Sequence, residues 1–304
     1  MDEEDSKTLR TMAKGGGILI LGAFATKAIT YFYRLLVAQE LGTAPYGLLT
    51  QGLAVYYIFM NLSNPGLGAG IQRFVSNYVG GDKKEKIPGI MWASLTTSIP
   101  LSLVAAVTLF FSADFLAVNV FNDSELSLVF RIFALAIPFE MLYNNAASMT
   151  MAFKEMKYIT YVDKIFRSLA TFGITAFLIL LGYQIEGAVY AQLIAIVFSA
   201  LLIVYFAQYR VFPFLRTNFE WEGNERRKLI GYSWPIALSG VIGLSTSWAD
   251  TVLLGFYSAS ESVGVYNAAM PTAALITLFS SQMGNVLFPT VSEYYGKGMK
   301  EKSV

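Results

Sequence analysis

The sequence predicts an all-α polytopic membrane protein of about eight transmembrane helices, a six-helix lobe followed by the first two helices of a second, parallel-repeat lobe. Three observations lead there. The 304 residues are 55% hydrophobic and only 14% charged, against roughly 25% charged in soluble domains. Leu41–Gln72, Ile87–Ala113, Gly187–Gln208, Leu229–Ala249 and Ser262–Ser292 hold no Asp, Glu, Lys or Arg, and a helix needs about 20 apolar residues to cross a bilayer. Basic residues are sorted into alternate connections between these stretches.

Apolar length, charge and turn residues place the spans at about 15–39, 44–63, 87–112, 126–152, 158–182, 187–209, 232–257 and 262–292. The first is too long for a signal peptide, carries Lys27 and Arg34, and has no small-residue cleavage site before Tyr31. The second breaks at Asn64, Pro65 and Gly66, because proline removes a donor and clashes with the preceding turn. A short helix then continues through Tyr78. Tyr46, Tyr158, Tyr183, Tyr209, Tyr232, Trp234 and Tyr257 fall near span ends, where an interfacial belt anchors helices.

Lys7, Arg10 and Lys14 precede the first span. Arg73, Lys83, Lys84 and Lys86, then Lys154 and Lys157, then Arg210, Arg216, Arg226, Arg227 and Lys228 occupy the even connections. Lys297, Lys300 and Lys302 follow the last span, which leaves only Lys27, Arg34, Arg131, Lys164 and Arg167 of the 22 basic residues for the spans themselves. The odd connections hold Glu40, Asp114, Asp123, Glu125, Glu186 and Glu261 instead. By the positive-inside rule both termini face the cytoplasm of a cell membrane. Asn122, Asp123 and Ser124 form a glycosylation sequon in an outer connection.

Composition removes several function classes. With no Cys and no His, zinc sites and histidine-based acid–base catalysis lack their residues. There is no phosphate-binding loop, and the net charge of +1 gives no footprint for nucleic acid. No outer connection is long enough for a catalytic domain. An enzyme is not expected, and no cofactor is.

Residues 210–228 are polar and charged, and they divide residues 1–209, the complete N-terminal lobe, from 229–304, the start of the second. At one constant offset Gly47 falls on Gly264, Ser63 on Ser280, Tyr78 on Tyr295, Gly81 on Gly298 and Lys83 on Lys300. Each copy reads as a span, a short acidic turn, a long uncharged span, then Tyr and Gly before a basic run. Six helices separate the copies, so they share an orientation, as in parallel repeats.

With the basic first helix, the segments Gly66–Lys86 (GLGAGIQRFVSNYVGGDKKEK) and Gly284–Lys302 (GNVLFPTVSEYYGKGMKEK) give the chain its resemblance to polysaccharide flippases. These belong to the multidrug, oligosaccharidyl-lipid and polysaccharide exporter superfamily. The resemblance implies two six-helix lobes, often with two further helices, around a cavity that opens alternately to each side. This chain departs from that plan because its second lobe stops after two helices. It is expected to be a fragment or split product, or to obtain the remaining helices from a second chain.

Ionisable residues in a span need partners or water. Lys27 and Arg34 lie about 10 Å apart along one helix face, with Tyr31 between them. Depth places Glu140 level with Lys27, and Asp250 level with Arg34. One reading makes these two structural ion pairs. The other notes that Lys27, Arg34 and Arg131 outnumber Glu140 and Asp250, so a wet cavity would attract an anion. Asp163 and Arg167, at i,i+4, are expected to satisfy one another. Asn61, Asn64, Asn144 and Asn145 would offer both donors and acceptors to sugar hydroxyls, or serve only helix packing.

The resemblance supplies the substrate class: a lipid-linked anionic glycan, a polyprenyl-diphosphate oligosaccharide moved from the cytoplasmic to the outer leaflet. Lys27, Arg34, Tyr31 and Arg131 would bind its head group, with Glu140 and Asp250 as ion-coupling or ion-pairing groups. The alternatives are a cation-coupled drug or metabolite exporter of the same superfamily and a non-transporting membrane subunit.

Overall fold

A computed structural model describes residues 29–215 and 224–270, and among them the side chains of 241, 242 and 244–247 are not described. Every regular element among these residues is helical. Residues 29–40 form α1, and α2 is Thr43–Leu62. Next come α3 (Leu67–Gly80) and α4 (Ile87–Phe115), which runs on through a π-helical turn, Leu116–Val120. Helix α5 is Leu126–Ala152. The α6 rod has three parts: Lys157–Ile159, a π-helical run Thr160–Arg167, and Ser168–Leu180. Helix α7 (Ile185–Phe206) also ends in a π-helical turn, Ala207–Val211. Helix α8 is Asn224–Tyr257 and residues 260–270 form α9.

Three of these helical stretches are long and apolar enough to cross a membrane: Lys84–Val120, Leu126–Ala152 and Ile185–Val211. The two 27-residue stretches measure about 40 Å at 1.5 Å per residue. Large apolar side chains point outward, with Val104, Phe111, Phe115, Phe177 and Leu180 all more than half exposed. Polar ones lie inside, including Glu140, Asn145, Ser98 and Thr150. This inversion suits hydrocarbon solvent, where polar groups must find partners within the protein.

Local chemistry sets the boundaries. Gly42 adopts φ +93° ahead of α2, and Pro45 falls in the first turn, where its missing N–H has no intrahelical partner anyway. The predicted break is present: α2 stops at Leu62, Gly66 takes φ +71°, and the Asn64 side-chain oxygen accepts the Gly66 N–H at 3.1 Å. Helix α8 begins earlier than its apolar span, so residues 224–228, expected in the linker, are helical. Glu225 in that first turn complements the helix dipole.

Helix α5 is the hub, packing on α2, α3, α4 and α7, while α8 packs on α2, α3 and α4. Two buried clusters result. Toward the acidic end Tyr46, Leu49, Tyr56, Phe130, Phe133 and Ile137 pack together; toward the basic end Leu67, Ile71, Met91, Tyr143, Ile203 and Leu229 do so. Tyr46 is therefore core and not an interfacial anchor, whereas Tyr183, Tyr209 and Tyr257 are exposed near helix ends as the sequence predicts, and Trp234 is exposed but about three turns inside α8, which begins earlier than its apolar span.

Close approach of α2 to α5 depends on Gly52, where a Cβ would lie 2.3 Å from Val129 Cγ1 and 2.9 Å from the Phe133 ring. Gly52→Ala is expected to destabilise the fold by about 1–3 kcal/mol through overpacking. Thermal unfolding in detergent, with Gly173→Ala as a control at an uncontacted glycine, checks this.

Candidate functional site

The deepest charges form one network between α5 and α6. Arg167 donates from Nη2 to Glu140 Oε2 at 2.8 Å and from Nη1 to Glu140 Oε1 at 3.2 Å. The two side chains are 19% and 9% exposed, so the fork geometry is held largely away from solvent. Tyr56 adds a hydroxyl donor to Glu140 Oε2 at 3.3 Å. Asp163 meets Arg167 at 3.5 Å and Lys164 at 2.5 Å, and the guanidinium lies 4.6 Å from the Tyr143 ring centroid. Two carboxylates and two cations thus offset one another.

The expected Glu140–Lys27 pair cannot be followed, because its Lys27 end falls on residues that are not described. Among the described residues Glu140 is met by Arg167 and Tyr56. The i,i+4 contact between Asp163 and Arg167 exists, yet it is the longer of the two. Arg167 was legible by counting from the basic end. Glu140 sits about 18 Å from the end of α5 and Arg167 about 15 Å from the start of α6, so neighbouring antiparallel helices bring them level. The π-helical run that carries Asp163, Lys164 and Arg167 is a form frequent at functional sites.

The expected Asp250–Arg34 pair is overturned. Its Oδ2 accepts the Tyr266 hydroxyl at 2.6 Å and its Oδ1 the Thr251 N–H at 2.7 Å. Arg34 instead donates from Nη1 to the Asn267 carbonyl at 3.5 Å, and Asn267 Oδ1 accepts the Thr251 hydroxyl at 3.3 Å. The two residues share a level, as depth predicts, but α9 stands between them. Arg34 thus rests on a neutral carbonyl and pairs with no acid among the described residues.

Arg131 is no cavity residue. It pairs with Asp114 at 2.5 Å with side chains 43% and 65% exposed, where the ends of α4 and α5 meet, and Ser127 also donates to Asp114. Tyr31 is 45% exposed and packs edge-on against Phe32. Asn145 is buried and donates to Ser98 Oγ at 2.7 Å, which makes it a strut between α4 and α5. Asn144 is half-buried beside it.

Asn61 and Asn64 are brought together. They line a cavity of about 220 Å³ between the α2–α3 break and α8, with Gly66, Gly68, Ala69, Ala237 and Gly240. Asn61 Nδ2 donates to the Tyr57 carbonyl at 2.9 Å and Asn64 Oδ1 accepts from Gly66, which leaves Asn61 Oδ1 and Asn64 Nδ2 for a polar guest. One turn from Asn61, the Tyr57 ring stacks on Trp248 of α8 at 5.1 Å. Sequence reasoning missed this stack, as well as Arg167 as the partner of Glu140.

Removing the Arg167 guanidinium by Arg167→Ala leaves Glu140 buried and uncompensated, with an expected cost of about 3–5 kcal/mol. The Glu140→Gln, Arg167→Met double variant is expected to recover most of it. A double-mutant cycle read by thermal unfolding measures the coupling.

A family model described as "Polysaccharide biosynthesis protein" matches residues 12–295. An uncharacterized membrane protein of Methanocaldococcus jannaschii is 22% identical over 301 residues, 95% of this chain and 59% of that protein. The "Probable low-salt glycan biosynthesis flippase Agl15" of Haloferax volcanii is 30% identical over 76 residues, 25% of this chain and 16% of that protein. A solved "inward-facing conformation of a multidrug resistance MATE family transporter of the MOP superfamily" shares the fold, with a TM-score of 0.61 at 18% identity over 88% of this chain and 66% of that one. The chain therefore spans 59% of the longest-matching of these relatives. With nearly its whole length inside the family model, this chain belongs to the polysaccharide biosynthesis protein family.

Proposed function

We propose that this chain works in a flippase that carries a polyprenyl-diphosphate-linked oligosaccharide from the cytoplasmic to the outer leaflet of the cell membrane. The observation that carries this reading is the unequal treatment of charges. Glu140 and Asp250 are both satisfied within the protein, by Arg167 and Tyr56 and by Tyr266 and the Thr251 N–H. Arg34 is met only by a carbonyl among the described residues. A guanidinium so placed favours an anionic head group, which it can engage with paired donors. A cationic substrate would find its carboxylates already occupied, so a cation-coupled exporter is the weaker reading.

Asn61 and Asn64 would take sugar hydroxyls at the helix break, and Lys27 would extend the cationic face of the first helix. In this proposal residues 1–209 make a six-helix lobe, 210–228 a cytoplasmic linker, and 229–304 the first two of the helices in a second lobe, with both termini cytoplasmic. The lipid tail would stay in the bilayer between the lobes, which would rock about the bound head group. Binding and movement need no bond chemistry, so the role proposed is transport and not catalysis.

Replacing Lys27 and Arg34 together by Ala is expected to abolish translocation of a lipid-linked diphosphate in reconstituted vesicles while membrane insertion is unchanged. Translocation at the rate of the unaltered chain would reject the site.

A further inference from the structure

At the acidic end α2 and α9 cross backbone to backbone. A Cβ built on Gly47 would lie 1.7 Å from the Ser260 carbonyl oxygen, and one on Gly264 would lie 1.8 Å from the Thr43 carbonyl oxygen. Each would also come 3.0 Å from an amide nitrogen of the other helix, Gly264 N or Gly47 N. Thr43 and Gly47 are four residues apart, as are Ser260 and Gly264, which gives each helix a small-x-x-x-small face that lets backbones touch. The contact is reciprocal: glycine to carbonyl in one direction, and the matching glycine to the matching carbonyl in the other. The offset that lays Gly47 on Gly264 also lays Thr43 on Ser260. That is the contact two copies related by a two-fold axis would make.

Hydrogen bonds clasp the crossing. Gln51 Nε2 on α2 donates to Ser260 Oγ at 3.1 Å, and Ser260 Oγ donates to Asp123 Oδ2 in the α4–α5 connection at 2.6 Å. Gln51 is 1% exposed and Ser260 7%. Its Oε1 lies 3.0 Å from where a Cβ on Gly255 would be, so α8 approaches this point too. A contact of glycine backbone and polar side chains differs from interdigitated apolar packing. When it parts, water can replace its hydrogen bonds, and little apolar surface is exposed at the glycines themselves.

We propose that the Gly47–Gly264 crossing with its Gln51–Ser260–Asp123 clasp is a separable seal at the acidic end, closed only because neither glycine carries a side chain. It rests on the transport reading in one respect, that the acidic end must open to release a substrate. One methyl group at either glycine would hold the seal apart and shift the chain toward a state parted there.

The chain has no cysteine, so Glu40→Cys and Glu261→Cys, both at exposed positions beside the crossing, can carry spin labels for a distance measurement in lipid. The otherwise unaltered labelled chain should give a short, narrow distance. Gly47→Ala and Gly264→Ala should each add a longer population, whereas Gly231→Ala, at a glycine with no neighbour within 4 Å, should not. Folded glycine variants that keep only the short distance overturn the proposal. If those variants fail to fold, Gln51→Ala with Ser260→Ala decides, since it removes atoms and introduces no clash. A longer population supports the seal, and the short distance alone overturns it. Parting in the variants without any change in translocation of a lipid-linked diphosphate would retain the seal and reject the transport reading.

Discussion

The Glu140–Arg167 pair is the constraint around which α2, α5 and α6 are organised. A carboxylate near the middle of a bilayer-crossing helix is tolerated only beside a counter-charge and further donors. Glu140 obtains the counter-charge from α6 and a donor from Tyr56 of α2. The three helices are thereby fixed in rotation and depth. Tyr56 also touches Phe133 of α5 at 5.6 Å and Tyr57 at 5.1 Å, and Tyr57 stacks on Trp248. The chain of contacts runs from a buried charge to the first helix past the linker. Because replacing one partner strands the other, such a pair specifies one arrangement more than it adds stability.

Helix breaks and missing side chains then decide where helices touch. The α2–α3 break opens the Asn61–Asn64 cavity, and it needs Gly66 for a second reason besides φ. A Cβ there would lie 2.6 Å from the Ser233 carbonyl oxygen of α8. Gly70, one turn on, lies equally close to Leu229 and to the Ser233 hydroxyl. Arg73 then covers the Tyr232 ring at 4.2 Å, so the first half of α3 is fitted to α8 between Leu229 and Ala237.

Helix positions among the described residues were legible because hydrocarbon demands long uncharged runs, and the break because Asn-Pro-Gly has few helical alternatives. Partners were less legible. Depth along a helix follows from residue counting, but which helix is the neighbour depends on packing around α5. Lys27 and Arg167 were both compatible with the level of Glu140, and the local i,i+4 contact with Asp163 drew attention from Arg167. Arg131 misled for a related reason. It lies about one and a half turns inside α5, yet its side chain reaches Asp114 at the neighbouring helix end. Asp250 and Arg34 were placed at the correct level, and only the position of α9 between them was unforeseen. Glycine contacts such as Gly47 with Gly264 show in sequence as coincidence at an offset, and only the fold gives them a geometry.

The two ends of the contact between the first helices and the last are built from different material. At the basic end Leu229 is fully buried among Ile71, Val75 and Phe214, so parting α3 from α8 would wet apolar side chains at roughly 25 cal/mol for each Å² exposed. At the acidic end the crossing of α2 and α9 is made by glycine, carbonyl groups and the Gln51–Ser260–Asp123 hydrogen bonds, whose partners water can supply. Between them α8 contains Pro235, which removes one hydrogen bond from the helix ladder, and Gly240, around which nothing lies within 4 Å of an added Cβ. The two ends of the contact thus differ in kind: apolar burial around Leu229 at the basic end, and at the acidic end a backbone crossing with its hydrogen bonds, flanked by buried Tyr46 and Val263.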